Sequence, residues 1–549
     1  MIYFFDVMSR AFFLLLGLGL LGFQQPPRTA VSTKPNVLVV LCDDLNDMVE
    51  TLGGHPQAQT PNLRRLMRRG VTFTNAHANN PVCSPSRASL WSGLYPHTTG
   101  FYGFRQDQYV WRENPVLKTS VTLFEQFKRN GYAVFGTGKI FHHDKPAYPL
   151  FTDEGSASRF GVPLDYGPFA SNGKTNVAHP VMREPYRRTP FESFAPLSEV
   201  PSVPPDASGA PGYRGWKAGG NPFRYVSETD RDPMADEQSA AWAGEVLRQP
   251  HTRPFLLTVG FIRPHTPLHA PKRFFDRFPL EKIQLAPYLE NDRADCAKIL
   301  SVFDTTDAAV RVASTKFARL REAYGGLEGA RRHLQAYLAC VAYLDEQLGK
   351  ILDALDQSPY ASNTVVVFTS DHGFHLGEKD WVYKQTVWER STRVPLVVVA
   401  PGISRAGERC GRPVALIDVY PTLVDLAGLP AQPNAAGNGR NLDGHSLHPL
   451  LLSPQRGTWA GPPVALSCIS GTKPLGENEP GRAADQHFTV RSERYRYTRC
   501  SNGEEELYDH RTDPNEWRNL AADRRYRAAK AELKRHLLRM TGQANLGEN

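Results

Sequence analysis

The sequence predicts an α/β protein in three layers, with helices on both faces of a large, mostly parallel sheet and a smaller C-terminal α+β subdomain. Three observations carry this. The short apolar runs "NVLVVLC" (36–42), "YAVFGTGKI" (132–140), "PFLLTVGF" (254–261), "NTVVVFTS" (363–370) and "PLVVVA" (395–400) have the length and residue types of strands buried on both faces. Helical stretches stand between them, the alternation that builds a layered α/β domain. Past about residue 455 the chain turns polar, and "RYRYTRC" with "EELYDHR" reads as a hairpin ahead of a helix in the last 30 residues.

In chain order, "MIYFFDVMSRAFFLLLGLGLLGFQQPP" (1–27) carries an apolar run from Ala11 to Phe23 behind Arg10. That is the length of an export signal's core and short for a bilayer span. Asp6 is out of keeping with such a leader, Met8 is an alternative start, and no small-x-small cleavage site stands out, so an uncleaved anchor is the other reading. The expectation is export, to a periplasm or the exterior, with no stable membrane insertion. "TPNLRRLMRRG" (60–70) reads as a helix capped by Thr60, begun by Pro61 and stopped by Gly70. "VTLFEQFKRNG" (121–131) is a helix feeding a strand, and 330–357 is an amphipathic helix. Residues 144–235, rich in Pro, Gly, Ser and aromatics, interrupt the rhythm and read as insertion loops around a site. The expected organisation is a leader at 1–27, a catalytic domain at 28–454 and a C-terminal subdomain at 455–549.

A chain of 549 residues can bury a large core, and its net charge of +8 favours anionic partners. Neither zinc-finger spacing nor a block of like charge points to nucleic acid. Seven cysteines leave at least one thiol unpaired in an oxidising compartment. Cys42 lies inside an apolar run and reads as core, the sequence permits a Cys468–Cys500 pair, and Cys83 is the odd one out.

The chemistry gathers at strand ends. "VVLCDDLND" closes a buried strand with Asp43 and Asp44, and "VVVFTSDHG" closes another with Asp371 and His372. Ligands of open α/β sheets collect at the carboxyl ends of strands. Three carboxylates converging there would repel one another, and a divalent cation resolves the conflict. The oxygen-rich set favours Ca2+, with Mg2+ second; His372 is a less usual donor to a hard cation. "GTGKIFHH" sets Lys139 and His142 after a third strand, "GFIRPHTP" sets His265 after a fourth, and Lys384 follows in "WVYKQTVWE". Together they predict a cationic pocket for a tetrahedral anion.

In "CSPSRASLWSG" Ser84 can cap and Pro85 can start a helix, which puts Cys83 at an exposed helix N-terminus with Arg87 one turn on. A Cys–His nucleophile is one reading. A hard cation among three carboxylates favours an oxygen nucleophile instead.

The C-x-P-S-R pattern at 83–87, followed by "LWSGLYPHTTG", closely resembles the maturation signature of the type I sulfatases. The resemblance runs from "PNVLVVLCDDLND" to "ELYDHRTDPNEWRNLA" and is strongest to the iduronate-2-sulfatase group, through "GGHPQAQTPNLRRL", "GTGKIFH", "GFIRPHTP" and "SDHGFHLGE". It implies an alkaline-phosphatase-like sandwich fold and oxidation of Cys83 to Cα-formylglycine by a formylglycine-generating maturation enzyme. By the same resemblance Asp43, Asp44, Asp371, His372 and the hydrated residue 83 bind the metal, and Arg87 holds the formylglycine. Lys139, His265 and Lys384 bind the sulfate, with His265 or Lys384 protonating the leaving oxygen. His142 is the base; His143 adjoins it, but the Lys-x-x-His spacing selects His142. The implied substrate is a sulfated carbohydrate, specifically a 2-O-sulfated uronate at a glycan end. The arginines of "FYGFRQDQYVWRENP" add physical support of their own: Arg105 could pair with a sugar carboxylate in a bidentate fork, a surface salt bridge being the other reading. The competing readings are a phosphoester or phosphonate hydrolase of the same superfold, and a non-catalytic protein that binds sulfated glycans.

Overall fold

The computed structural model describes residues 34–107, 113–142, 148–151, 159–172, 174–205, 212–301, 314–435, 437–473, 475–476 and 479–543. The leader expected at 1–27, His143 and the side chain of Arg105 lie outside the described residues.

Among the described residues the chain builds a nine-stranded sheet. Its principal elements are β1 (Asn36–Cys42), α1 (Pro61–Met67), β2 (Val71–His77), α2 (Cys83–Ser92), α3 (Leu123–Arg129), β3 (Ala133–Gly138), β4 (Arg159–Phe160), α4 (Ala235–Arg248), β5 (Phe255–Gly260), α5 (Lys316–Tyr324), α6 (Glu328–Asp356), β6 (Thr364–Ser370), β7 (Arg393–Val399), β8 (Arg409–Cys410) and β9 (Val414–Ala415). The strand order is β8-β2-β7-β6-β1-β5-β3-β4, with β9 also on β2. Of these, β7 alone runs against its neighbours, and β6, β1, β5, β3 and β4 pair in parallel.

Every residue of β1, β3, β5 and β6 is buried, as continuous apolar runs between two helical layers require. One layer centres on α6 and α4 and the other includes α2 and α3. The helix α3 opens with a capping box, Thr122 accepting from Glu125 N and Glu125 accepting from Thr122 N. Two details of α1 differ from expectation. The Thr60 side chain accepts from Glu50 N instead of capping the helix, and the helix ends at Met67. Gly70 serves a close approach: a Cβ there would stand 2.2 Å from the Val398 carbonyl oxygen on β7.

The C-terminal subdomain is a four-stranded antiparallel sheet, β10 (Ala465–Ile469), β11 (His487–Arg491), β12 (Tyr495–Arg499) and β13 (Glu505–Asp509), followed by α7 (Arg527–Met540). The expected hairpin is β12–β13. A buried ion-pair network joins this sheet to the segment ahead of β7. Arg496 donates to Glu516 Oε1 at 2.6 Å and to Glu389 Oε2, and His510 Nε2 lies 2.9 Å from Glu516 Oε1. All seven cysteines are free and buried, so the Cys468–Cys500 pair that the sequence permits is not formed. Cys42 is core, as expected, with its thiol directed at the Thr369 carbonyl 3.3 Å away. Among the described residues no helix is long and apolar enough to cross a membrane.

Candidate active site

The register of β1 on β6 places Cys42 opposite Ser370, so the Asp43–Asp44 and Asp371–His372 pairs leave the sheet side by side. On the other flank β5 aligns Gly260 with Leu41, and β3 aligns Gly138 with Gly260. Gly138 sits at φ +71° with the Gly260 carbonyl oxygen 2.0 Å from where a Cβ would be, and this approach brings Lys139 against the same edge. Four strands thus present their following residues to one place, the carboxyl edge of the parallel part of the sheet.

The helix α2 supplies residue 83. It starts at Cys83 itself, two residues ahead of the Pro85 start, with Val82 extended before it and Gly93 in the left-handed region after it. Ser86 Oγ donates to the Asp371 carbonyl, and Arg87 Nε donates to Asp371 Oδ2 at 2.9 Å. Arg87 Nη2 lies 3.6 Å from Asp43 Oδ2. Cys83 is 1 % exposed, which corrects the expectation of an exposed helix start. A cap signal reports where a helix begins, not what packs over it, and here His372 and the Lys384 loop cover the thiol. Gln385 N donates to the Pro81 carbonyl at 3.1 Å and pins that loop beside the helix start.

Cys83 Sγ lies 3.5 Å from Asp43 Oδ1, 3.2 Å from His372 Nε2 and 2.9 Å from Lys384 Nζ. Lys384 Nζ also donates to Asp44 Oδ1 at 2.9 Å, and Lys139 Nζ donates to Asp43 Oδ2. His265 Nε2 lies 3.8 Å from Asp44 Oδ2, while its Nδ1 is 2.5 Å from the Thr266 carbonyl oxygen. His142 is half-buried against Phe104, with ring centroids 4.9 Å apart. The structure therefore draws Asp43, Asp44, Cys83, Arg87, Lys139, His265, Asp371, His372 and Lys384 into one contact network, with His142 placed on the Phe104 ring.

Burial would raise the Asp43 carboxyl, but Lys139, then His265, Lys384 and Arg87, hold it well below the usual carboxylate range. Asp44 is raised by burial, which Lys384 only partly offsets. Burial, reinforced by Asp43, pushes the Cys83 thiol up to about 12, so it is held as the neutral thiol, a weak nucleophile.

The donor set suits a cation. One ligand atom from each of Asp43, Asp44, Cys83 and His372 lies within 4.8 Å of the others, and the buried Asp44 Oδ2 accepts no hydrogen bond from the described residues. Asp371 stands just outside this group: its Oδ1 accepts from Asp44 N and His372 N and its Oδ2 from Arg87. Two carboxylates match a hard cation; a sulfur at 83 does not, and an oxygen there would complete the set.

Sequence reasoning did not single out the wall around the pocket. Tyr166 lies over Lys139 Nζ at 4.6 Å and against His265 at 4.9 Å, and Phe191, 38 % exposed, meets both rings edge-on. Both come from the aromatic-rich stretch 144–235; the composition signalled a site-lining segment but not which rings would turn inward.

Residues 35–429 match the family model described as Sulfatase, and residues 377–543 match the one described as N-sulphoglucosamine sulphohydrolase, C-terminal. The chain is 34% identical over 538 residues to a sulfatase of Formosa agariphila, covering 96% of this chain and 91% of the relative. It is 30% identical over 487 residues to iduronate 2-sulfatase of Mus musculus, covering 81% and 80%. Among solved structures it resembles a 2-O GAG sulfatase (TM-score 0.62, 21% identity, 94% of each chain). It also resembles the phosphonate monoester hydrolase of Agrobacterium radiobacter (TM-score 0.63, 23% identity, 93% and 96%).

Proposed function

The chain belongs to the sulfatase family and is a sulfuric ester hydrolase, and from that we propose that its substrate is a sulfated sugar, a 2-O-sulfated uronate at a glycan end, attacked by an oxygen nucleophile made from Cys83. The observation that carries the chemistry is the buried convergence of the Asp43 carboxylate, the His372 imidazole and the Lys384 ammonium on one side-chain atom, Cys83 Sγ, with Lys139 held on Asp43 and Asp44 held on Lys384. The relatives named as an iduronate 2-sulfatase and a 2-O GAG sulfatase support the choice of sugar.

Asp43, Asp44, His372 and residue 83, with Asp371 beside them, would hold the cation, Ca2+ before Mg2+. Bound there, a divalent cation would neutralise the carboxylates and make an oxygen at 83 more acidic. Conversion of Cys83 to formylglycine by a maturation enzyme would supply, as the hydrate, one hydroxyl to attack sulfur and a second whose deprotonation releases sulfate.

The rest of the work falls to this chain's own side chains. Lys139 and Lys384 aim buried ammoniums at the space beside residue 83, where sulfate oxygens gain charge-assisted hydrogen bonds. Arg87, fixed to Asp371 and near Asp43, orients the carboxylates and the start of α2. The proton for the leaving sugar oxygen comes from Lys384 or from His265, whose Nε2 is the ring nitrogen left to face the site once Nδ1 is committed to Thr266. His142 takes the proton that releases sulfate. Tyr166 and Phe191 form an apolar flank against which a sugar ring can lie.

A screen of defined sulfated mono- and disaccharides, with matured protein and sulfate release as the readout, tests this reading. The 2-O-sulfated uronates are expected to be desulfated fastest. Efficient cleavage of 6-O-sulfated neutral or amino sugars, with none of a 2-O-sulfated uronate, overturns the choice of sugar. Sulfate, phosphate and phosphonate esters of one aglycone, compared side by side, test the choice of reaction.

A further inference from the structure

A cation that the reaction does not use stands near the site, across one aromatic ring from Lys384. Lys316 opens α5 and is half-buried, with its Nζ 4.1 Å from the centroid of the Tyr383 ring. The same ring has the Lys384 ammonium 5.6 Å from its centroid, so the two ammoniums are no further apart than the sum of these distances. Tyr383 is half-exposed and immediately precedes the buried Lys384 in the chain, so its ring links Lys316 to a group of the reacting centre. The charge of Lys316 feels Lys384 and Asp44 as well as Glu192 and Arg319.

What Lys316 lacks is an anion. Among the described residues it makes a cation–π contact with Tyr383 and no ion pair. The acids that could serve it are engaged elsewhere: Glu192 is held by Arg319 at 2.9 Å, and Asp44 by Lys384 at 2.9 Å. Burial pushes the Lys316 ammonium down to about 8, the behaviour of a desolvated cation with no adequate counter-charge. A half-buried ammonium on an aromatic ring, within about 10 Å of the Lys384 ammonium, suits a carboxylate or sulfate oxygen.

We propose that Lys316 forms a second anion subsite, binding a carboxylate or a second sulfate of the substrate while Lys139 and Lys384 hold the sulfate to be cleaved. The subsite rests on the sulfated-sugar reading above and adds to it that the preferred substrate carries at least two negative groups. The contact is made before and during the reaction alike, so its loss raises KM more than it lowers kcat.

The experiment compares wild type with Lys316→Ala and Lys316→Arg on a small neutral aryl sulfate and on matched sulfated disaccharides. One pair differs only in a uronate carboxylate, and another only in a second sulfate. Lys316→Ala is expected to lower kcat/KM on the doubly anionic members by about 10- to 100-fold, the loss of one charge-assisted hydrogen bond, largely through KM. Aryl sulfate turnover should stay within about twofold, and Lys316→Arg should recover most of the loss because it keeps the charge. Whichever pair loses its internal preference in Lys316→Ala identifies the anion as carboxylate or sulfate. Equal loss on all substrates, or no loss on any, overturns the subsite. Wild-type protein inactive on every sulfate ester would instead overturn the reading of the centre itself, and the subsite with it.

Discussion

His372 Nε2 lies 3.2 Å from the sulfur of Cys83, a residue 289 positions earlier in the chain. The contact exists because β6 delivers His372 at the end of a buried strand while α2 delivers residue 83 at its first turn. With Lys384 Nζ at 2.9 Å on the same sulfur, residue 83 is enclosed by groups that suit an anionic oxygen better than a thiol.

Cys83→Ala is therefore expected to abolish sulfate release while leaving the melting transition close to wild type, because a small apolar side chain fills the same buried position. An unmodified Cys83→Ser should form at most one sulfated ester per molecule, since it has no second hydroxyl from which sulfate can be expelled. Sustained turnover by a serine verified by mass spectrometry would defeat the two-hydroxyl mechanism.

Chelation is expected to remove activity, and added Ca2+ or Mg2+ to restore it. Asp44→Ala or Asp371→Ala should lower kcat by about 100-fold or more, far beyond the ~1 kcal/mol of a surface ion pair. Elemental analysis of the chelated protein decides the matter: full activity without a bound metal contradicts the ligand set.

The network that joins the C-terminal sheet to the catalytic domain should be a point of weakness. Arg496→Met leaves Glu389 and Glu516 buried without their guanidinium, and breaking a buried pair in this way costs about 3–5 kcal/mol. Denaturant unfolding should show the loss, whereas Arg525→Met, which removes an exposed partner of Asp523, should scarcely move the midpoint.

The contribution of Asp418 to stability should also fall as pH rises from about 4 towards 7. Burial pushes the Asp418 carboxyl up to about 7, even though it accepts from Ala415 N and His445 N at 2.8 Å. Between the unfolded value near ~3.9 and that folded value, the folded state holds a proton that the unfolded state has lost. The contribution to stability is thus complete below about pH 4, declines towards pH 7, and is flat above it. Asp418→Asn should flatten that decline, a difference that melting curves at pH 5 and pH 8 would read directly.

The sheet was legible because a strand buried on both faces leaves an unbroken apolar run, and the acids at its end stand out against that run. For the same reason Asp43, Asp44, Asp371 and His372 could be assigned to one edge before any geometry was known. The strand Val71–His77 was harder: in "VTFTNAH" polar residues alternate with apolar ones, yet nearly all are buried beneath neighbouring elements. Tyr166, Phe191 and Lys316 were invisible as site residues, since loops and a helix start carry no period that says which way they turn. Gly70 looked like a helix stop and instead answers to a carbonyl on β7, a partner more than three hundred residues away in sequence.

The 1 % exposure of Cys83 also sets a clock. On the proposed maturation, an enzyme that oxidises the β-carbon of residue 83 would have to reach an atom that the finished fold encloses, so the oxidation would come before folding is complete. The chain provides such an interval: at roughly 5–20 residues per second of synthesis, the 289 positions that separate His372 from Cys83 take on the order of 15 to 60 s. During that time residue 83 exists without the imidazole that will cover it. Protein that folds unconverted has missed this interval, and exposing it afterwards to the same oxidising enzyme should recover activity only if it is first unfolded.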